Sequence, residues 1–241
     1  MKDATIVFDL DGTLVDTAPD LTNALNEVLT SRGHATVPAA TIRASVGLGA
    51  RAMIEQALRC AGAKDDIDQM LTEFLIHYED NIAAESRPFP GAVEALEALT
   101  SAGARLALCT NKREYLSRKL LGALKLDAYF QGIAGRDTFA VAKPDPGHLM
   151  GVIALAGGDP SSALMVGDSE VDILTARAAQ VPVIAVSFGY AAAPVKGFAP
   201  DAIIGHFDEL VPRAAFLLRG LTHGPEKWEP VFRKDHAETK S

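Results

Sequence analysis

The chain has few cysteines, no basic excess and no long apolar run, and each shortage narrows what it can be. Only Cys60 and Cys109 occur, far apart and within apolar segments. They make neither a disulfide framework nor a set with metal-ligand spacing, and read as core thiols of a protein kept in a reducing, cytoplasmic compartment. Net charge is −8, so the electrostatic footprint of a nucleic-acid partner is missing. An acidic chain that handles an anionic substrate needs local cations, from a metal or from placed lysines and arginines. No stretch approaches the roughly 18 apolar residues of a membrane-spanning helix, so no membrane partner is expected. Acidic residues interrupt the opening MKDATIVFDLDG, which therefore has no signal-peptide apolar region. Repeats and low-complexity segments are absent too.

What is present suits an ordinary globular protein. At 241 residues, 48% hydrophobic and 22% charged, the chain can bury a sizeable core as one α/β domain or a core with an insertion. Its most informative stretch is the first. An apolar run, Ile6-Val7-Phe8, leads into Asp9, Leu10, Asp11, Gly12 and Thr13. Residues i and i+2 of a strand share a side, so Asp9 and Asp11 converge at the carboxyl end of a central strand, where open α/β sheets bind ligands. An Asp-Gly turn or a helix N-cap is the plainer reading of the same residues.

Helical spacing follows over 20–32, then over 39–46, 50–61 and 66–84, with no convincing strand between. Arg87-Pro88-Phe89-Pro90-Gly91 breaks this pattern. Beyond it, helices (92–102, 113–124, 145–157, 170–180, and near 207–219) alternate with strands (105–110, 130–134, 163–167, 181–186, 202–204). Such alternation implies right-handed crossovers and a doubly wound parallel sheet, Rossmann-like, with helices on both faces. The expected organisation is an α/β core of 1–16 and 86–220, a small helical cap domain of 17–85 inserted after the first strand, and a polar tail of 221–241.

The candidate functional residues stand at strand ends. Besides Asp9 and Asp11 these are Thr110, Asn111 and Lys112, then Lys143 before Pro144, then Asp168 with Asp172 four residues on. In a parallel sheet all carboxyl ends lie on one edge. The aspartates would repel one another without a cation between them, and hard oxygen donors suit Mg²⁺, which shares its shell with a phosphate. Asp168 and Asp172 fit one face of a helix's first turn, where the dipole favours negative charge. Lys143, held extended by Pro144, can reach a carboxylate or a phosphate oxygen, though it also reads as an ordinary loop lysine. Thr110 and Asn111 offer donors for phosphate oxygens and equally suit a helix cap. This set can perform phosphoryl transfer: one aspartate attacks phosphorus, and the other protonates the leaving alcohol and then activates water.

In these residues, DLDGT at 9–13, Thr110-Asn111, Lys143-Pro144 and Gly167-Asp168-Ser169-Glu170-Val171-Asp172, the chain resembles the haloacid dehalogenase-like hydrolases. The resemblance runs in order to about residue 190. It implies Asp9 as nucleophile and Asp11 as general acid/base. It implies Mg²⁺ held by Asp9, the Asp11 backbone carbonyl and Asp168, with Asp172 in support. Thr110 would bind the phosphoryl group, and Lys143 would steady the nucleophile and phosphate. Within the family the pattern is most similar to the phosphoglycolate phosphatases, through DLDGTLVDTAPD at 9–20, the Val46-to-Arg51 turn, Pro88-Phe89-Pro90-Gly91 and Lys112. That implies a small phosphate monoester as partner, 2-phosphoglycolate first, with other sugar-phosphate phosphatases, a pyrophosphatase and a phosphomutase as alternatives sharing the same opening. A monomer or homodimer is expected. Substrate choice should lie in the cap, where Arg43 and Arg51 flank the Gly47-Leu48-Gly49 turn and could meet a substrate carboxylate; each also reads as a surface arginine. A non-catalytic receiver-like module is a further alternative. It too clusters aspartates, a threonine and a lysine on a parallel sheet, but it lacks the inserted helices.

Overall fold

The computed structural model describes residues 1–191 and 194–221; the expected tail lies outside the described residues but for residue 221. Five apolar runs join β1 (Thr5–Phe8) in one six-stranded parallel sheet. Chain order interleaves β2 (Val15–Asp16), helices α1 (Ala18–Ser31), α2 (Ala39–Val46), α3 (Ala50–Ala61) and α4 (Ile67–Asp80), then β3 (Arg87–Pro88) and α5 (Ala92–Ser101). After these come β4 (Arg105–Cys109), α6 (Glu114–Ala123), β5 (Gly132–Ala134), α7 (Pro146–Leu155), β6 (Ala163–Gly167), α8 (Glu170–Ala178), β7 (Val183–Val186), β8 (Ala202–Ile204) and α9 (Leu210–Leu221). The main sheet runs β5-β4-β1-β6-β7-β8, so β1 is central, flanked by β4 and β6.

The period of two sorts the core into two layers. Ile6 and Phe8 of β1, with Leu106, Leu108, Leu164 and Val166, face α5, α6 and α9. Val7, with Ala107, Cys109 and Met165, faces α7 and α8. The sheet is covered on both sides, as its apolar strands require. The inserted helices α1 to α4 pack on one another through Leu25, Leu29, Ile54, Phe74 and their neighbours.

Several boundaries differ from expectation for physical reasons. The segments flanking the insert were given no strand in the sequence reading; there β2 and β3 form an antiparallel ladder, Val15 opposite Pro88 and Asp16 opposite Arg87. Asp66, expected inside a helix, caps α4 by accepting from the Asp68 and Gln69 N–H groups, and the helix ends at Asp80 with Asn81 as its C-cap. Pro182 has no N–H for the ladder, and β7 begins only after it. The last helix is preceded by a separate 3-10 turn, Phe207–Glu209. Among the described residues no helix is long and apolar enough to cross a membrane.

Candidate active site

The carboxyl ends of β1, β4 and β6 and the loop after β5 meet on one edge of the sheet and bring six charged groups together. Asp9 leaves β1 with its N–H donated to the Val166 carbonyl (2.9 Å), which ties it to the neighbouring strand. Its Oδ1 accepts from Lys143 Nζ at 2.8 Å, and the same ammonium donates to Asp172 Oδ1 at 2.6 Å. All three side chains are 6% exposed or less. Asp11 faces a second ammonium: Lys112 Nζ donates to its two oxygens at 2.8 and 3.1 Å, and Thr17 Oγ1 donates at 2.7 Å.

Asp168 sits differently from expectation. Ser169, not Asp168, caps α8: its hydroxyl accepts from the Asp172 N–H while the Asp172 carboxylate accepts from the Ser169 N–H. Asp168 is thereby left outside the helix at the end of β6. Its Oδ1 accepts from Thr13 Oγ1 (3.2 Å) and its Oδ2 from the Tyr190 backbone N–H (2.6 Å). Two glycines make room for this carboxylate. Gly12 has φ +84°, and a Cβ there would lie 2.6 Å from Asp168 Oδ2. A Cβ on Gly189 would lie 2.2 Å from Asp168 Cβ.

Asp9, Asp168 and Asp172 present oxygens within 4.8 Å of one another. Asp172 accepts from Lys143 on Oδ1 and, on Oδ2, from the N–H and the hydroxyl of Ser169 and from the Asp168 N–H, so it has fewer lone pairs free than its neighbours. Asp9 and Asp168 keep free ones. Burial pushes the Asp9 carboxyl up to about 7 against the pull of Lys143. Burial, then the charges of Asp172 and Asp9, push Asp168 well above the usual carboxylate range. Burial also disfavours the Lys143 ammonium, but Asp172 and Asp9 outweigh it and hold it charged. With all four buried carboxyls ionised, the two ammonium groups would leave two negative charges, the complement of one divalent cation. The all-oxygen donor set fits a hard cation.

The remaining expected residues lie around this centre. Thr110 is buried beside it, its hydroxyl accepting from the Lys112 N–H (3.2 Å). Asn111 bridges the two parts of the chain, its Nδ2 donating to the carbonyls of Gly47 and Lys143 at 3.1 Å each. Arg113, with no side-chain hydrogen bond, occupies the cap position of α6 that Thr110 or Asn111 could have taken. Arg51 reaches the mouth of a cavity of about 200 Å³ between α1–α4 and the sheet, but its guanidinium is paired with the exposed Asp68. Arg43 lies outside that cavity, over the Tyr190 ring at 5.4 Å.

The family model for haloacid dehalogenase-like hydrolases covers residues 6–186.

The chain belongs to the haloacid dehalogenase-like hydrolases.

Among its relatives, a phosphoglycolate phosphatase of Mesorhizobium japonicum is 51% identical over 92% of this chain and 100% of that protein. Another, of Caulobacter vibrioides, is 46% identical over 90% of this chain and 93% of its own length. A solved structure from Haemophilus somnus, described as a predicted phosphoglycolate phosphatase, superposes with a TM-score of 0.83 at 28% identity over 88% of this chain and 98% of that one.

Other residues of this hydrolase's site were not singled out from its sequence. Thr13 was within reach, lying inside the quoted opening. Tyr190 stands four residues past β7, a strand end with no charged residue to mark it. Its hydroxyl donates to Asp16 and accepts from the Ala18 N–H (2.9 Å), at the junction of sheet and insert. His148 lies wholly buried and accepts the Lys143 backbone N–H on Nδ1 (3.1 Å), fixing the loop that carries the ammonium. Burial, then the Lys143 charge, push its imidazole down to about 4. A depressed pKa contributes stability that is complete above the unfolded value of about 6.5 and lost as pH falls through the folded one. The melting-temperature gap between the native chain and His148→Asn should therefore shrink from pH 7 to pH 4; a gap that stays constant would show that His148 does not titrate on unfolding.

Proposed function

We propose that this hydrolase is a Mg²⁺-dependent phosphatase of small phosphate monoesters, with 2-phosphoglycolate as substrate and an aspartyl-phosphate at Asp9 as intermediate. The observation that supports this most is the division of labour between the two carboxylates of one strand end. Asp9 lies in the acidic cluster beside Lys143, whereas Asp11 points toward the cavity beside Lys112. The names of the relatives supply the substrate.

In this reading residues 1–16 and 86–220 are the catalytic core and 17–85 the cap. Asp9 and Asp168 hold the cation with the Asp11 backbone carbonyl, and Asp172 supports them by fixing Lys143 and the Asp168 loop. The cation, when bound, neutralises charge on Asp9 and on the phosphoryl oxygens. Thr110, Asn111 and Lys143 hold the remaining phosphoryl oxygens. An Asp9 oxygen bonds to phosphorus as the ester P–O bond breaks, and Asp11 passes its proton to the departing alkoxide. Water then attacks the aspartyl-phosphate, Asp11 takes the water proton, and the Asp9 oxygen leaves. The inserted helices roof the site and exclude bulk water.

The test is phosphate release from a panel of esters with and without Mg²⁺. Release from 2-phosphoglycolate that stops on chelation supports the reading. An isomerised sugar phosphate without free phosphate makes the chain a phosphomutase, and no turnover of any ester overturns both.

Cation binding has its own readout. Carboxyls raised by folding contribute stability that is complete below about 3.8 and lost as pH rises through about 7. A cation removes that loss. Mg²⁺ at 100 times its dissociation constant should stabilise the chain by about 2.7 kcal/mol. The gain in melting temperature should be larger at pH 8 than at pH 5, and a shift independent of pH would separate the ion from Asp9 and Asp168.

A further inference from the structure

The cavity holds two features that the chemistry at phosphorus leaves unused. The first is Tyr78, brought by α4 of the insert. It is 1% exposed, and its hydroxyl has no hydrogen-bond partner among the described residues. A buried hydroxyl without a partner is penalised, and native proteins seldom keep one that nothing fills. The ring cannot turn away, because it is stacked on Phe74 with centroids 5.8 Å apart and planes within 4°. Burial pushes the phenol up to about 12, so it stays a neutral donor.

The second is Lys112, brought by the loop after β4. Its ammonium sits between the Asp11 carboxylate, at 2.8 and 3.1 Å, and the Tyr78 ring, 4.6 Å from the centroid. Burial works against this charge and Asp11 outweighs it, so the ammonium persists in a nearly dry place. Both residues line the same cavity as Asp11 and Asn111. The cations at its mouth are a weaker match for a buried anion. Arg51, Arg113 and Arg136 are all exposed to solvent.

From this juxtaposition we infer that Lys112 and the Tyr78 hydroxyl read a carboxylate on the substrate, and that the site selects esters whose carboxylate and phosphate oxygen share one carbon. The inference rests on the reading of Asp11 as the group that meets the leaving oxygen. Lys112 Nζ lies 2.8 and 3.1 Å from the two Asp11 oxygens, so an anion held by this ammonium must sit close to a leaving oxygen held by Asp11, which a one-carbon spacer allows and a longer spacer disfavours. One reader comes from the sheet and one from the insert, so recognition is complete only with the insert seated over the core.

The test uses the full chain carrying Asp9→Asn, which holds esters without turning them over, and measures binding by calorimetry in Mg²⁺. The probes are 2-phosphoglycolate, ethyl phosphate (a methyl group in place of the carboxylate) and 3-phosphonooxypropanoate (one carbon longer). The parent should bind 2-phosphoglycolate at least about tenfold more tightly than either of the others. Adding Tyr78→Phe keeps the stacked ring and should cut that preference about tenfold. Lys112→Met should cut it at least as far, with a thermal melt reporting that each variant is folded. An unchanged preference in Tyr78→Phe overturns the inference, as does a parent with no preference for the carboxylate. Equal binding of the longer acid removes the one-carbon rule. The two readings separate cleanly. Preference lost in Tyr78→Phe while the native chain releases no phosphate sinks the phosphatase and keeps the carboxylate readers. Phosphate release with an unaltered preference does the reverse.

Discussion

Asp9→Asn releases phosphate at least about 10⁴-fold more slowly than the native chain, the scale on which removing a nucleophile is felt. The amide is nearly isosteric, so the Val166 tie through the backbone N–H and the position beside Lys143 survive. What is lost is the oxygen that, in the proposed reaction, bonds to phosphorus. The variant should nevertheless fold at least as well as the native chain when no cation is present. Asp9 is a carboxyl pushed up by burial and by its acidic neighbours, and replacing it removes one of the charges that crowd Asp168. Single-turnover phosphate release and a thermal melt of the same preparation check both halves. Loss of turnover together with loss of fold would mean that Asp9 is structural, and retained turnover would remove it as nucleophile.

Lys143→Met has the largest expected effect on stability. The ammonium donates to two carboxylates in a place nearly closed to water, and its removal leaves both with an uncompensated charge. Breaking a buried pair from one side costs about 3–5 kcal/mol. For a domain of this size that is a fall in melting temperature of about 6–20 °C. The deficit has a definite pH dependence. Without Lys143 the Asp9 carboxyl binds its proton still more readily in the folded state, so the variant loses more stability than the native chain as pH rises, and the two curves converge below about pH 4. Melts across that range decide the matter. A deficit that is the same at pH 4 and pH 8 would show that packing, not charge, holds Lys143 in place.

The parallel sheet was legible because each strand is a short apolar run bounded by turn residues, and because the runs alternate with helical spacing. The convergence of Asp9, Thr110, Lys143 and Asp168 follows from that alternation, since every crossover returns the chain to the same edge. What was not legible has specific causes. Asp168 and Asp172 are spaced like neighbours on a helix, but the hydroxyl of Ser169 is the better cap, and the helix begins two residues too late to include Asp168. Tyr78 keeps the spacing of an ordinary core aromatic on α4, and no pattern along a helix tells whether a phenol's hydroxyl will find a partner. Tyr190 is reached through its backbone N–H, which carries no residue-type signal at all. Two-residue strands such as β2 and β3 have no period to detect.

That smallest ladder bears on how a protein of this build can change. Val15 lies opposite Pro88, and the Phe89 N–H donates to the Leu14 carbonyl at 2.9 Å, so the chain leaves the sheet and comes back to it at neighbouring points. To the sheet, everything between is a hairpin loop whose ends are already joined. Closing such a loop depends only weakly on its length, each doubling adding roughly 0.6 kcal/mol. The interior of the loop can therefore be lengthened, shortened or exchanged wholesale while the strand edge that carries the aspartates keeps its register, and the inserted helices are free to diverge on their own.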